Sequence, residues 1–173
     1  CISGDIKKDE AIKIIDEKYN AWKPKKLAKT ETWKEKPHKG MERVTVKYTG
    51  EEYVLLAFRT APQEHKDADA LRLLDMSLSN AAAGLIDLNL VQTQKVRGAG
   101  AFPYLQNDYG AQLLFGIPKD GQTLEEVEKL LLEQLEIVKE GKLEDWVIPA
   151  IITDFKKQRK AGLESDEARV TVM

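Results

Sequence analysis

The chain has few side chains that could bind a metal or act as a nucleophile. Glu64 and His65 match the end of the inverted zinc motif H-x-x-E-H, whose two histidines share one face of a helix. The first position of that motif is Ala61, and Pro62 predicts a loop here. Because a catalytic zinc needs three protein ligands, one histidine is insufficient. We interpret His65 as an exposed loop residue.

The other histidine and the only cysteine are isolated in the sequence. His38 lies in a lysine-rich segment, and Cys1 is the first residue, so neither a closed zinc site nor an intrachain disulfide is predicted. No serine or cysteine nucleophile can be assigned to a histidine base. We therefore predict no catalytic residue, no metal ligand and no cofactor in this chain. The sequence does not identify substrate-binding residues.

Two further patterns could indicate binding of nucleotides or nucleic acids. Residues 98–101 alternate Gly and Ala, but they lie in a strand pattern and lack the third glycine and the helix of a dinucleotide fingerprint. Small residues in a strand more often mark close approach of another backbone, such as a peptide added as a strand. Trp22 and Trp33 flank lysines, but Glu31 and Glu35 dilute the charge, which favours a solvated tether.

Composition indicates a folded protein without a nucleic-acid or membrane partner. Among the 173 residues, 42% are hydrophobic and 32% are charged, which is typical of a globular domain. The net charge is −2 and the pI is about 5.8, so no polyanion is expected as a partner. No apolar run approaches the roughly 20 residues that span a bilayer. Cysteine usage leaves the compartment open between periplasm and cytoplasm.

The first part of the chain predicts two folding units joined by a linker. Residues 9–22 have the apolar spacing of an amphipathic helix, and residues 2–5 before it have the character of a strand end. Residues 23–41 contain seven lysines and two prolines without apolar periodicity, and they predict the linker. Residues 44–48 and 53–58 then predict two strands around a tight connection. The second strand is almost wholly apolar, which predicts a central strand that is covered on both faces or well buried on one.

The rest of the chain alternates between helices and one hairpin. Residues 66–83 predict a helix, residues 85–94 are ambiguous, and residues 96–105 and 111–117 predict a β-hairpin. Thr123 and Glu126 form a capping-box pattern, and two further helices are expected, the first with Pro149 in its opening turn and the second from Ser165. This order predicts an α+β fold with a mostly antiparallel sheet and helices packed on one face.

Several local phrases resemble the pitrilysin (insulinase-type) zinc metallopeptidases, which are inverzincins. In that family a domain ends with a strand that contains Gly-Asp, followed by a helix whose end is aromatic. Residues 2–5 resemble that strand, and residues 19–24 resemble the end of that helix. A linker leads to a homologous domain whose opening strand and helix resemble residues 53–83. Its later hairpin and helix pair resemble residues 96–162. The resemblance implies a LuxS/pitrilysin-like two-layer domain, and both ends of the chain are expected to be truncations.

The diagnostic zinc helix of that family is absent, because Leu74 and Asp75 stand where its Glu-His would be. The resemblance therefore implies a non-catalytic domain at residues 42–173, after the end of a preceding domain at 1–22 and the linker at 23–41. It further implies that zinc belongs to the catalytic domain of the parent chain. The expected partners are the other domains of the parent and a peptide substrate, which such domains enclose in a chamber.

One pair of residues has the spacing of a substrate-contacting pair in the last domain of this family, an Arg followed seven positions later by a Tyr. Arg97 and Tyr104 show that spacing, but the hydrophobic register places Val91 and Gly98 at those positions, so the role is not transferred. This difference favours an internal domain, the second of four. The alternative is an interaction module from a wholly inactive homologue, which an H-x-x-E-H motif upstream of Cys1 would exclude.

Overall fold

The computed structural model describes residues 1–31 and 33–172 and divides into two compact units. One unit comprises Cys1–Pro37 and Asp154–Met173, and the other comprises His38–Thr153. In chain order the elements are helix α1 (Lys8–Tyr19), strand β1 (Val54–Thr60), helix α2 (Ala68–Leu78), a π-helix (Asp87–Val91), strands β2 (Gly98–Leu105) and β3 (Gly110–Ile117), and helices α3 (Leu124–Lys139), α4 (Val147–Gly162) and α5 (Asp166–Val172).

The three strands form one antiparallel sheet in the order β1-β3-β2. β2 and β3 are the predicted hairpin, joined by the polar residues 106–109. β1 pairs with the other edge of β3, with Leu56 of β1 opposite Leu114 of β3. The apolar strand β1 therefore lies next to the hairpin. The predicted α+β class with an antiparallel sheet is confirmed.

Alternate residues of each strand pack against the helices. Leu114 of β3 is fully buried, and a Cβ built on Gly116 would lie 2.4 Å from Val127 Cγ1 of α3, so α3 approaches the sheet backbone at this glycine. Val54, Leu56, Ala99 and Ala101 lie on the same side because they pair with Gly116 and Leu114 in register. The buried core comprises Leu78, Ile86, Leu90, Val96, Leu114, Val127 and Leu131.

Helix boundaries follow the predicted capping chemistry. Thr123 Oγ1 accepts the Glu126 N–H at 3.2 Å, and the Glu126 carboxylate accepts the Thr123 N–H at 2.9 Å, so the capping box is confirmed. Gly141 has a φ of 67°, a left-handed conformation that favours glycine at the end of α3. Pro149 is the third residue of α4, where its missing N–H leaves no helical bond unmade.

The smaller unit contains α1, which has no buried residue. Tyr19 and Trp22 at its end pack edge to face with ring centroids 4.7 Å apart. Ser3 Oγ donates a hydrogen bond of 3.2 Å to Asp166 Oδ1 at the start of α5. Within the described residues, every helix is too short or too polar to cross a bilayer.

Three sequence predictions about strands are wrong. Residues 2–5 and 44–48 have no strand structure, because neither segment is paired with another strand within the described part of the chain. β1 was predicted to be central, but β3 takes that position. The apolar side chains of β1 point to both faces of the sheet, but helices cover only one of these faces. The predicted domain boundaries at 22 and 41 stay predictions.

Gly116 gives a test of how closely α3 approaches the sheet. We expect Gly116→Ala to lower the free energy of unfolding by about 1–3 kcal/mol, because its Cβ would overlap the branched Val127 side chain. Gly98→Ala on the neighbouring strand is the matched control, since its Cβ would meet only Ile117 Cδ1 at 3.6 Å. Urea unfolding measures both; equal losses would contradict the packing described here.

Candidate functional site

The face of the sheet that points away from α2 and α3 is a candidate binding surface, here called the open face. Direct partners in an antiparallel pair share a face, so the residues paired with Leu113 and Phe115 of β3 lie together on it. The open face consists of Leu55, Ala57, Arg59, Gly98, Gly100, Phe102, Tyr104, Ala111, Leu113, Phe115 and Ile117. Its apolar members are absent from the buried core.

Aromatic side chains dominate one part of the open face. Phe102 and Phe115 pack with ring centroids 6.4 Å apart. A Cβ on Gly100 would lie 2.8 Å from Phe115 Cε1, so this glycine leaves room for the ring of its partner strand. The sequence prediction of close approach by another backbone at residues 98–101 is therefore wrong at Gly100, where a side chain occupies the space.

The open face remains substantially exposed despite its apolar character. Leu55 is 50% exposed, Phe102 is 42% exposed and Tyr104 is 56% exposed. Arg59 places its guanidinium 4.9 Å from the centroid of the Tyr109 ring at one end of the surface. An apolar surface bordered by a cation can bind an extended peptide or another protein surface, and it offers no nucleophile or general base for chemistry.

Helix α2 occupies the place of the zinc helix in the resemblance. Leu74 packs against the core, and Leu71, three residues earlier, is half-buried. The Asp75 carboxylate accepts a hydrogen bond of 2.7 Å from Gln112 Nε2, which is 3% exposed on β3. Two apolar side chains and a carboxylate that is already hydrogen-bonded to the sheet do not provide the ligands that a zinc ion needs.

The histidines also lie apart from any ligand set. His65 Nδ1 accepts the Asp67 N–H at 3.2 Å in the turn before α2, and His38 Nδ1 lies 3.8 Å from Glu42. Across residues 1–31 and 33–172, no three His, Cys, Asp or Glu side chains are grouped closely enough to hold a metal ion.

Comparison with known proteins identifies the family. A family model described as the peptidase M16 inactive domain matches residues 1–153. The chain belongs to the peptidase M16 inactive-domain family. The resemblance to pitrilysin-type peptidases is thereby confirmed, and this M16 inactive domain is a non-catalytic part of that peptidase family.

A solved structure described as a protease from Helicobacter pylori has the same fold as the M16 inactive domain. It superposes with a TM-score of 0.89 at 21% sequence identity, over 96% of this chain. The matched region makes up 41% of that protease chain, so the M16 inactive domain spans less than half of its length. No curated protein matches the sequence.

Arg97 and Tyr104 do not form a common site in the M16 inactive domain. Arg97 forms an ion pair with Glu51, while Tyr104 belongs to the open face. Residues seven apart along an extended strand are separated by about 23 Å and point to opposite faces. The structure therefore gives no reason to transfer the Arg–Tyr role.

A buried polar cluster that sequence reasoning missed holds the end of α2. Asp87, which is 8% exposed, accepts hydrogen bonds from Ser79 Oγ at 3.2 Å and from the Asn80 N–H at 2.8 Å. Asn89 Nδ2 donates to Gln134 Oε1 at 2.8 Å, which joins the π-helix to α3. These bonds satisfy the polar groups within the fold, so the cluster positions elements rather than a ligand.

Burial of the Asp75 carboxyl disfavours its charged form, so we expect the M16 inactive domain to lose stability as pH rises. Burial raises its pKa above the ordinary value of 3.8, and the Gln112 hydrogen bond partly opposes this rise. A raised folded-state pKa means that stability is greatest below the unfolded pKa and is lost as pH rises through the folded pKa. We expect Asp75→Asn, which keeps an acceptor for Gln112, to raise the melting temperature at pH 7.

The pH profile is the control for that substitution. At pH 3 the wild-type Asp75 carboxyl is largely protonated in both the folded and the unfolded protein. The gain in melting temperature from Asp75→Asn should therefore shrink. Thermal unfolding at the two pH values measures the difference. A gain of the same size at both pH values would show that ionisation of Asp75 is not the cause.

Proposed function

We propose that this M16 inactive domain is a substrate-enclosing wall of a zinc-dependent endopeptidase, with catalysis carried out in another domain of the parent chain. The open face supports the proposal, because it is a sheet surface with exposed Leu55, Phe102 and Tyr104 that needs an apolar occupant. A peptide enclosed against it would gain apolar burial without requiring one sequence. That property suits a peptidase that accepts varied substrates.

Zinc is assigned to another domain because of the side chains that α2 offers as possible ligands. Zinc activates water only when several nitrogen or oxygen ligands converge on it. Leu71, Leu74 and the Gln112-bonded Asp75 do not supply such a set. The domain would thus contribute binding and positioning, and zinc would be held by the catalytic domain expected elsewhere in the parent.

A second candidate function uses the same surface differently. If the parent has no zinc motif in any domain, the open face would serve as a protein-interaction surface of an inactive homologue. The two candidates differ in the occupant, which is a transient peptide in the first and a stable protein partner in the second. An apolar face of this kind is compatible with both.

Site-specific photo-crosslinking tests the first candidate. A benzophenone amino acid replacing Phe102 in the intact natural protein should crosslink to a labelled unfolded peptide, because Phe102 is 42% exposed on the open face. The same replacement at Leu132, which is 37% exposed on α3, is the matched control. Peptide labelling at position 102 well above position 132 is expected. Equal labelling would contradict substrate enclosure by the open face.

Metal binding gives an independent test of the division of labour. We expect residues 1–173 to bind zinc at far less than one equivalent in equilibrium dialysis, because α2 supplies no converging ligand set. Direct metal analysis of the dialysed protein measures this. One tightly bound equivalent that is lost on His65→Ala would overturn the assignment of zinc to another domain.

A further inference from the structure

Residues 38–53, here called the strap, lead into β1 without helix or strand structure. Every strap residue is exposed, including Val44 at 82% and Val46 at 73%. None of the backbone hydrogen bonds found in the turns and loops of the described chain involves the strap. Apolar burial and backbone bonding, which hold the sheet together, therefore contribute little to holding the strap.

One ion pair fastens the strap to helix α3. Arg43 Nη2 donates to both carboxylate oxygens of Glu128, at 2.8 Å and 2.7 Å. The Glu128 side chain is 11% exposed, whereas the Arg43 side chain is 52% exposed. A short contact to a mostly covered carboxylate is the stronger kind of charge-assisted bond, unlike a fully solvated surface pair.

The C-terminal end of the strap is organised mainly by local contacts. Tyr48 Oη donates a hydrogen bond of 2.9 Å to the Glu51 carbonyl. The Tyr48 and Tyr53 rings pack edge to face with their centroids 6.5 Å apart. Glu51 also pairs with Arg97, through two side chains that are each about half exposed. This end can act as a hinge, because its contacts survive when the segment before it moves.

We propose that the Arg43–Glu128 pair is a latch, and that the strap opens as a unit while the sheet and its helices stay folded. Opening exchanges the two hydrogen bonds of the pair for hydration of both charges and leaves the buried core unchanged. Such a segment belongs to the low-stability end of a fold, where local opening precedes global unfolding. Opening would remove Arg43 from the groove along α3 that it borders together with Leu132 and Glu136.

Limited trypsin digestion of the intact natural protein tests the latch. Cleavage after Lys47 reports strap opening, and cleavage after Arg72 in α2 reports opening of the core. Cleavage follows the population of the open state when closing is fast. We expect Glu128→Gln to speed cleavage after Lys47 about tenfold, as loss of a charge-assisted bond implies. Cleavage after Arg72 should remain within about twofold of wild type.

Two further variants separate the latch from a general effect of charge. Glu133→Gln removes the same charge from an exposed position of α3 and should leave cleavage after Lys47 unchanged. Arg43→Lys keeps the charge but places it on a shorter side chain with a different donor geometry, so it should give an intermediate rate. The proposal is overturned if Glu128→Gln leaves cleavage after Lys47 unchanged, if Glu133→Gln accelerates it equally, or if cleavage after Arg72 rises in parallel.

Discussion

The fold depends on the division of strand β3 between two environments. Leu114 and Gly116 face α3 and complete the core, while Leu113 and Phe115 face the other side of the sheet. The period of two in a strand makes this separation unavoidable, because a shift of one residue would exchange the two sets. The covered face supplies stability, and the uncovered face is the proposed binding surface.

The same packing explains why α2 presents no converging set of metal ligands. In this helix the side chains that face the sheet are committed to it, Leu74 through apolar contact and Asp75 through its bond to Gln112. Membership of the M16 inactive-domain family agrees with this local chemistry. The polar bond between helix and sheet also leaves a carboxylate whose burial opposes folding at neutral pH.

The two candidate functional features differ in what stabilises them. The open face lies on hydrogen-bonded strands, and its proposed role depends on exposed apolar area. In the described part of the chain the strap makes no backbone bonds of that kind, and the charged Arg43–Glu128 pair joins it to α3. The proposed binding surface and the strap therefore lie in the same unit, formed by His38–Thr153.

Local signals in the sequence determined the elements whose chemistry is complete within a few residues. The capping box at Thr123 and the tight hairpin before Gly110 need no distant partner, and each was predicted. Strand pairing could not be decided in this way. Residues 44–48 and β1 have similar β-type patterns, yet only β1 pairs with β3. The open face and the Arg43–Glu128 contact likewise required the tertiary structure, because each joins residues far apart in sequence whose proximity no local periodicity encodes.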